Sequence, residues 1–250
     1  MTTVVIQSHT LPLPRPWLAH CLETVRAWAE QNGFSYQFQG DSLFDLLAPY
    51  PFLGRYSRVI QSDVARLLWM EQCLADGYER VIWLDADMLV HCPEAFTVPS
   101  AAFSVGREVW VQETAPNRYK AYVKVHNAWL HAGKGSVDLP FYRETALRLL
   151  ARNSEGVPAQ FVGPKLLTAM HNIVGFEVNE RAGMLSPEVA RAYLSDDKPH
   201  RALDLFLSRH RENPAALNLS ASCETGAMRA DGFYDALVAR LLLNKMEGGQ

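Results

Sequence analysis

The stretch RVIWLDADMLVHC, residues 80–92, constrains the fold of this chain more than any other. Its β-branched and aromatic residues VIWL predict a buried strand, which leads directly into two aspartates, Asp85 and Asp87, separated by one alanine. Carboxylates are rarely buried unless a partner stabilises them. We therefore expect the two acids at the end of a strand, where a partner can reach both of them.

The residues before this stretch predict alternating strands and helices. TTVVIQS at residues 2–8 is typical of a buried strand, the apolar spacing over 17–31 predicts a helix, and FSYQF at 34–38 alternates like a second strand. A long apolar stripe predicts another helix over 57–76. This order favours an α/β fold with a mixed, mostly parallel sheet flanked by helices.

The rest of the chain continues this alternation without a recognisable linker or repeat. We predict strands at 101–105, 109–114 and 125–132, and helices at 138–152, 164–170, 187–194, 201–211 and 231–245. Since 250 residues suit one large α/β domain, we expect a single domain over 1–250.

Composition excludes several classes of function. A net charge of −3 and the lack of a dense Lys and Arg stripe argue against a nucleic-acid-binding protein. No apolar run reaches the roughly 18 residues of a membrane span. The four cysteines have no metal-ligand spacing, and the first residues do not resemble a signal peptide. We therefore expect free thiols and a cytoplasmic protein.

The two aspartates indicate a divalent cation. Residues i and i+2 of a strand face the same side, so Asp85 and Asp87 are predicted to project together beyond the strand. Ligands of open α/β sheets bind at the carboxyl ends of strands, and Mn²⁺ or Mg²⁺ commonly links carboxylates to phosphates. The pair therefore predicts a metal site for a phosphorylated ligand. The structural alternative is one aspartate that caps the turn beside a second, solvated one.

Two enzyme classes place such a motif after an apolar strand. In haloacid-dehalogenase-like phosphatases the motif opens the chain, and its first acid, here Asp85, is the nucleophile. In nucleotide-sugar transferases of the GT-A fold the motif lies within the domain. The preceding strands and helices favour the transferases. A non-catalytic protein that binds nucleotide sugars or glycans is the third reading.

A longer stretch resembles a known family. QSDVARLLWMEQCLADGYERVIWLDADMLV, residues 61–90, resembles the SD-x-x-R, apolar helix, Gly, apolar strand and D-x-D pattern of the DXD-containing sugar transferases. These include the initiating α-1,6-mannosyltransferases of yeast, bacterial capsule and lipopolysaccharide sugar transferases, and the large clostridial glucosylating toxins. VVIQSHT, HNAWLHAGKGSVDLPFY and FVGPKLLTAM resemble further family segments in the same order. The resemblance implies a GT-A-like domain, with a nucleotide-sugar-binding half at about 1–115 and the acceptor side at about 116–250.

The resemblance also implies the roles of individual residues. Asp63 and Arg66, which are i and i+3 on one helix face, hold the donor sugar; taken alone they are equally typical of a surface ion pair. Asp85 and Asp87 are the implied catalytic residues, with Asp87 on the metal and Asp85 on both metal and donor. The remaining implied donor-site residues are Gln7, Ser8, His9, Ala86, Asn127, Gly163 and Pro164.

The sequence departs from the family near its end. Where the family completes its metal site with a His or an acid and a Ser-Trp step, ALNLSASCE offers Asn218 as the third predicted metal ligand and Cys223 in place of Trp. The resemblance implies a Mn²⁺- or Mg²⁺-dependent glycosyltransferase. It would move a hexose from a UDP- or GDP-linked sugar to a glycan, glycolipid or polysaccharide precursor, with retention of configuration.

Overall fold

Strands and helices alternate along residues 2–153, 156–196, 199–223 and 226–247, which the computed structural model describes. The strands are β1 Thr3–Ser8, β2 Ser35–Gln39, β3 Arg80–Leu84, β4 Met88–Val90, β5 Phe103–Ala115, β6 Arg118–Gly133, β7 Glu177–Asn179, β8 Ala182–Met184 and β9 Ala216–Asn218. The helices are α1 Trp17–Gln31, α2 Arg58–Ala75, α3 Asp138–Arg152, α4 Leu166–Val174, α5 Pro187–Leu194, α6 Arg201–Arg209 and α7 Phe233–Glu247.

The larger sheet has the strand order β2-β1-β3-β6-β5-β7. β1 pairs in parallel with β2 and β3, and β7 pairs in parallel with β5. β6 pairs antiparallel with both β3 and β5, so it runs against the other five strands. The sheet is therefore mixed and mostly parallel, which confirms the predicted fold class.

A smaller sheet begins directly after the aspartate pair. Its order is β4-β9-β8, with β4 antiparallel to β9 and β8 parallel to β9. Asp85 and Asp87 therefore lie in the turn that carries the chain from the central strand of one sheet into the other. β4 was not predicted from the sequence, because three residues are too short to show a period.

Apolar side chains fill both faces of the larger sheet. On one face α2, α3 and α4 pack against the sheet. Val64, Trp83 and Tyr142 lie in the core between them. On the other face α1 contributes Trp28, which packs against Trp129. A third cluster lies between α5, α6, α7 and the smaller sheet. Within the described residues, none of the helices is both long and apolar enough to cross a bilayer.

Several predicted elements differ from the structure at their ends. The predicted strands at 101–105 and 109–114 are one strand, β5, interrupted by a bulge between Val105 and Gly106. The His126 ring occupies the space beside Gly106 where a Cβ would stand. The helix predicted at 164–170 spans Leu166–Val174, and it follows a π-helical segment, Phe161–Lys165, in which Gly163 has a non-helical backbone (φ −82°, ψ −119°).

The predicted helix over 57–76 is α2. Ser57 is its N-cap and accepts a hydrogen bond from the Ile60 backbone N–H. The predicted division into two halves near residue 115 falls on the turn between β5 and β6, and it stays a prediction.

Candidate active site

The two aspartates lie in a turn after β3 and not on the strand itself. β3 ends at Leu84, and the Met88 N–H donates to the Asp85 carbonyl at 3.0 Å, which closes a turn. Strand alternation therefore stops before Asp85. The two carboxylates are held by different elements: Asp85 contacts α2, and Asp87 contacts the segment after β9.

Asp85 is held by two donors on the same oxygen. Arg66 Nη1 and Trp83 Nε1 each donate to Asp85 Oδ1 at 2.7 Å. The Arg66 guanidinium also lies over the Trp83 ring, 4.9 Å from its centroid. Both donors use Oδ1, so neither of them engages Oδ2. The Asp85 side chain is 27% exposed, which leaves it accessible to a ligand.

Arg66 connects Asp85 to a buried pair behind it. Its Nη1 donates to the Asn127 carbonyl at 2.9 Å, and its Nη2 lies 3.1 Å from Asp63 Oδ1. Asn127 Nδ2 donates to that same Asp63 oxygen at 2.7 Å. The side chains of Arg66 and Asp63 are only 7% and 5% exposed. The helix pair predicted from SD-x-x-R is thus part of the interior and not a surface ion pair.

Asp63 is a buried acid whose charge is only partly compensated. Burial raises its pKa to about 6, while Arg66 and the Asn127 hydrogen bond oppose that rise and the negative charge of Asp85 adds to it. With Asp63, Asp85 and Asp87 ionised and Arg66 protonated, the cluster carries a net charge of −2. The arrangement therefore favours the approach of a cation.

Asp87 accepts hydrogen bonds on both carboxylate oxygens. Asn218 Nδ2 donates to Oδ1 at 2.6 Å, and the Ala221 N–H donates to Oδ2 at 3.0 Å. The Leu219 N–H donates to the Asp87 carbonyl at 3.0 Å. Burial and the charge of Asp85 nevertheless raise the Asp87 pKa to about 6. A cation near both acids would remove this repulsion.

Asn218 turns its amide nitrogen and not its oxygen toward Asp87. Its Oδ1 accepts from the Ser220 N–H at 2.8 Å and from Ser220 Oγ at 3.3 Å, which fixes the orientation of the amide. Ser220 adopts a left-handed backbone (φ 52°) to make these contacts. In this arrangement Asn218 supports Asp87, and its predicted role as a direct metal ligand stays a prediction.

Gly163 and Pro164 form the turn that precedes α4. A Cβ on Gly163 would overlap Asp63 Oδ2 and would lie 3.1 Å from Asn127 Nδ2. Tyr142 OH donates to the Val162 carbonyl at 2.8 Å and holds this turn in place. The turn thus covers the buried Asp63. Anion binding by the free N–H groups of this helix start stays a prediction.

The predicted residues of the first strand divide into buried and accessible ones. Gln7 is fully buried: Nε2 donates to the Asp85 carbonyl at 3.1 Å, and Oε1 accepts from Tyr36 OH at 3.0 Å. Gln7 therefore positions the Asp85 backbone. Ser8 and His9 are half-buried at the carboxyl end of β1, and Ala86 is 6% exposed between the aspartates.

The donor set fits a cation held by two carboxylates and a phosphorylated ligand. Asp85 Oδ2 is available, and each Asp87 oxygen keeps a lone pair beyond its hydrogen bond. Mg²⁺ is commonly bound by one or two carboxylates, several waters and substrate phosphates. Among the described residues, no group of three His, Cys, Asp or Glu side chains could hold a metal by itself.

Sequence reasoning missed three members of this site. Trp83 reads as an ordinary core residue of a strand, and Tyr142 as an ordinary core residue of a helix. The Ala221 N–H carries no side-chain signal. For Trp83 the sequence carried no usable signal, because β3 ends at Leu84 and strand alternation does not extend to Asp85.

No protein-family model matches the sequence, and no curated protein matches it. Solved structures do match. The structure of galactosyltransferase LgtC in complex with donor and acceptor sugar analogs aligns over 95% of both chains, with a TM-score of 0.46 and 12% identity. The apo-form glycosyltransferase GlyE of Streptococcus pneumoniae TIGR4 aligns over 99% of this chain and 64% of its own, with a TM-score of 0.40 and 9% identity.

A stronger likeness is to a glycosyltransferase involved in the glycosylation of the major capsid of PBCV-1. It covers 96% of this chain and 98% of that one, with a TM-score of 0.51 and 11% identity. The chain therefore shares its fold with this glycosyltransferase, as a mixed, mostly parallel GT-A-like sheet flanked by helices.

Proposed function

We propose that this protein is a metal-dependent glycosyltransferase that transfers a hexose from a nucleotide diphosphate sugar. The observation that carries the proposal is the contact of Arg66 with both Asp63 and Asp85. It joins the two sequence motifs, SD-x-x-R and D-x-D, into one acidic cluster at the carboxyl edge of the sheet. The shared fold with a glycosyltransferase supports the same reading.

The residues of the cluster divide the work. Asp85 Oδ2 and the Asp87 carboxylate would hold Mn²⁺ or Mg²⁺ against the diphosphate. The bound ion would offset the negative charge that develops on the leaving nucleoside diphosphate. Arg66 positions Asp85, and Asn127 orients the Asp63 carboxylate that pairs with Arg66. Because Asp63 and Arg66 are buried, they act on the donor site through Asp85 in this proposal, and their direct contact with the donor sugar stays a prediction.

The donor would be a UDP- or GDP-linked hexose, and the acceptor a glycan, a glycolipid or a polysaccharide precursor. Two of the predicted donor-site residues, Ser8 and His9, lie at the carboxyl end of β1, and Ala86 lies between the two aspartates. In this proposal all three lie along the nucleotide. Retention of the anomeric configuration is part of the proposal. Proton NMR of the first product formed measures it through the coupling of the anomeric proton.

Nucleotide binding tests the proposal without a known acceptor. We expect UDP or GDP to raise the melting temperature in Mn²⁺ and to lose this effect in EDTA. The nucleotide-linked hexose should be hydrolysed slowly to free nucleotide diphosphate. Asp87→Asn, which keeps the shape of the side chain, should lower this hydrolysis by roughly 100-fold or more, because it removes a charge that holds the metal.

Asp45→Asn is the matched control, since Asp45 is exposed on the turn Asp41–Leu47. It should keep the wild-type rate. Release of phosphate from p-nitrophenyl phosphate with no cleavage of nucleotide sugars would instead indicate a phosphatase with Asp85 as nucleophile. Tight binding of a nucleotide sugar with neither reaction would indicate a binding protein.

A further inference from the structure

We propose that Trp83 is a positioning residue for Asp85. Its indole N–H and Arg66 together reserve the carboxylate oxygen Oδ1 for the protein, so that Oδ2 alone faces a metal–diphosphate ligand. The identity of that ligand rests on the proposed function, whereas the Trp83–Asp85 contact does not.

The geometry fixes the carboxylate in one orientation. Trp83 Nε1 and Arg66 Nη1 reach Asp85 Oδ1 at the same distance, 2.7 Å, from two different elements, β3 and α2. Rotation of the carboxylate to exchange its oxygens would break both hydrogen bonds at once. Hydrogen bonds to a charged acceptor are stronger than neutral ones, so the pair holds Oδ2 in place.

The indole itself has little freedom to move. Trp83 is 2% exposed, the Arg66 guanidinium lies over its ring, and the Trp69 ring packs against it edge-on at 6.2 Å. Trp83 and Asp85 are two residues apart and direct their side chains toward the same helix, α2. A buried indole N–H needs an acceptor, and Asp85 provides it.

If Trp83 served only to fill the core, its ring would matter and its indole N–H would not. Trp83→Phe separates the two roles because it keeps an aromatic ring beside Arg66 and removes the donor. Trp28→Phe is the matched control, since Trp28 is also buried and donates its indole N–H to the Phe96 carbonyl at 2.8 Å, on the opposite face of the sheet from Trp83. Both variants lose a similar volume from the core, so both should lower the melting temperature by similar amounts.

The two variants should differ in metal–nucleotide binding. Partners that orient a metal ligand typically change metal affinity by roughly 10- to 100-fold when they are removed. We expect Trp83→Phe to weaken binding of Mn²⁺ with UDP or GDP by about 10-fold or more in calorimetric titrations. Trp28→Phe should bind as the wild type does. Equal affinity of wild type and Trp83→Phe would overturn the inference.

A second measurement needs no ligand. The chain has six tryptophans, and the indole N–H resonance of Trp83 is the one that disappears from the nitrogen–proton correlation spectrum of Trp83→Phe. We expect this resonance to move upfield in Asp85→Asn, because the charged acceptor is lost, and the other indole resonances to move less. A wild type that binds neither UDP nor GDP contradicts the proposed function. The chemical shift of the Trp83 indole N–H then still tests the inference. The inference is wrong if that shift is the same in Asp85→Asn as in the wild type.

Discussion

The backbone of Gly163 lies so close to the Asp63 carboxylate that no side chain fits between them. Gly163 is buried, and a side chain there would overlap the Asp63 carboxylate. The backbone at this position can therefore lie against the acid only because it carries no Cβ. The same closeness keeps water away from Asp63 and contributes to its raised pKa.

Gly163→Ala should therefore lower both stability and nucleotide binding. Overpacking of this kind typically costs about 1–3 kcal/mol, and Asp63 and Asn127 would have to move to admit the methyl group. Thermal unfolding and calorimetric titration with UDP or GDP measure the two effects. Gly54→Ala is the control, because nothing lies within 4 Å of a Cβ at Gly54. Equal losses in the two variants would contradict the steric account.

At the residue scale the sequence predicted the charged residues of the candidate site, and it did not predict the residues that hydrogen-bond to them. Asp63, Arg66, Asp85 and Asp87 follow a spacing that few chains show by chance. Trp83 gave no such signal because the patterns of strand cores contain the same residue type. The orientation of the Asn218 amide depends on Ser220, two residues further on, whose left-handed backbone was not predicted from the sequence.

At the scale of elements the site joins two sheets. β4 and β9 pair antiparallel, with Met88 opposite Asn218, and this pairing places the Asn218 amide against Asp87. The long elements were predictable because fifteen residues of helix, as in α1, repeat their apolar pattern several times. A three-residue strand such as β4 forms through pairing between distant segments, which no local pattern reveals.

Asn218→Asp tests the junction of the two sheets. In EDTA the new carboxylate would face Asp87 where a donor now lies, and like-charge repulsion should lower the melting temperature by about 3–10 °C. Mn²⁺ should then raise the melting temperature more than it does in the wild type, because it would bind an additional carboxylate. The exposed Asn213→Asp serves as control. Equal responses of Asn218→Asp and wild type to Mn²⁺ would contradict the proposal that Asn218 lies beside a metal site.

For the whole molecule, buried histidines tie stability to pH. Burial lowers the pKa values of His126, His131 and His210 to about 4. At His126 the Nδ1 atom accepts from the Ala128 N–H at 3.1 Å, which favours the neutral ring, whereas the bond from Nε2 to the Ala182 carbonyl at 3.0 Å opposes the fall in pKa that burial causes. The unfolded chain binds protons at these histidines near pH 6.5, while the folded chain does so only near pH 4. The histidines should therefore lower stability as the pH falls through this window, while Asp63 and Asp87, whose pKa values are raised to about 6, contribute in the opposite sense.

His131→Leu should weaken this pH dependence. Among the described residues, neither ring nitrogen of His131 has a hydrogen-bond partner, so a leucine of similar volume removes an unsatisfied polar group from the central strand β6. The free energy of unfolding should fall less between pH 7 and pH 5 than in the wild type, by on the order of 1–2 kcal/mol. Urea titrations at the two pH values measure it, with the exposed His20→Leu as control. If the free energy of unfolding changed between pH 7 and pH 5 by the same amount in His131→Leu and in the wild type, His131 would be protonated equally in the folded and unfolded states.

The contacts of Arg66 with α2, β6 and the turn after β3 have a consequence for the thermodynamics of ligand binding. Fixing a long side chain on binding ordinarily opposes association by about 0.5–1.5 kcal/mol. Here Asp63, Asp85 and Asn127 hold Arg66 before any ligand binds. The Arg66 side chain therefore loses its rotamer entropy when the protein folds and not when a ligand binds. The free site is preorganised, and a ligand that matches it binds without first ordering the residues around it.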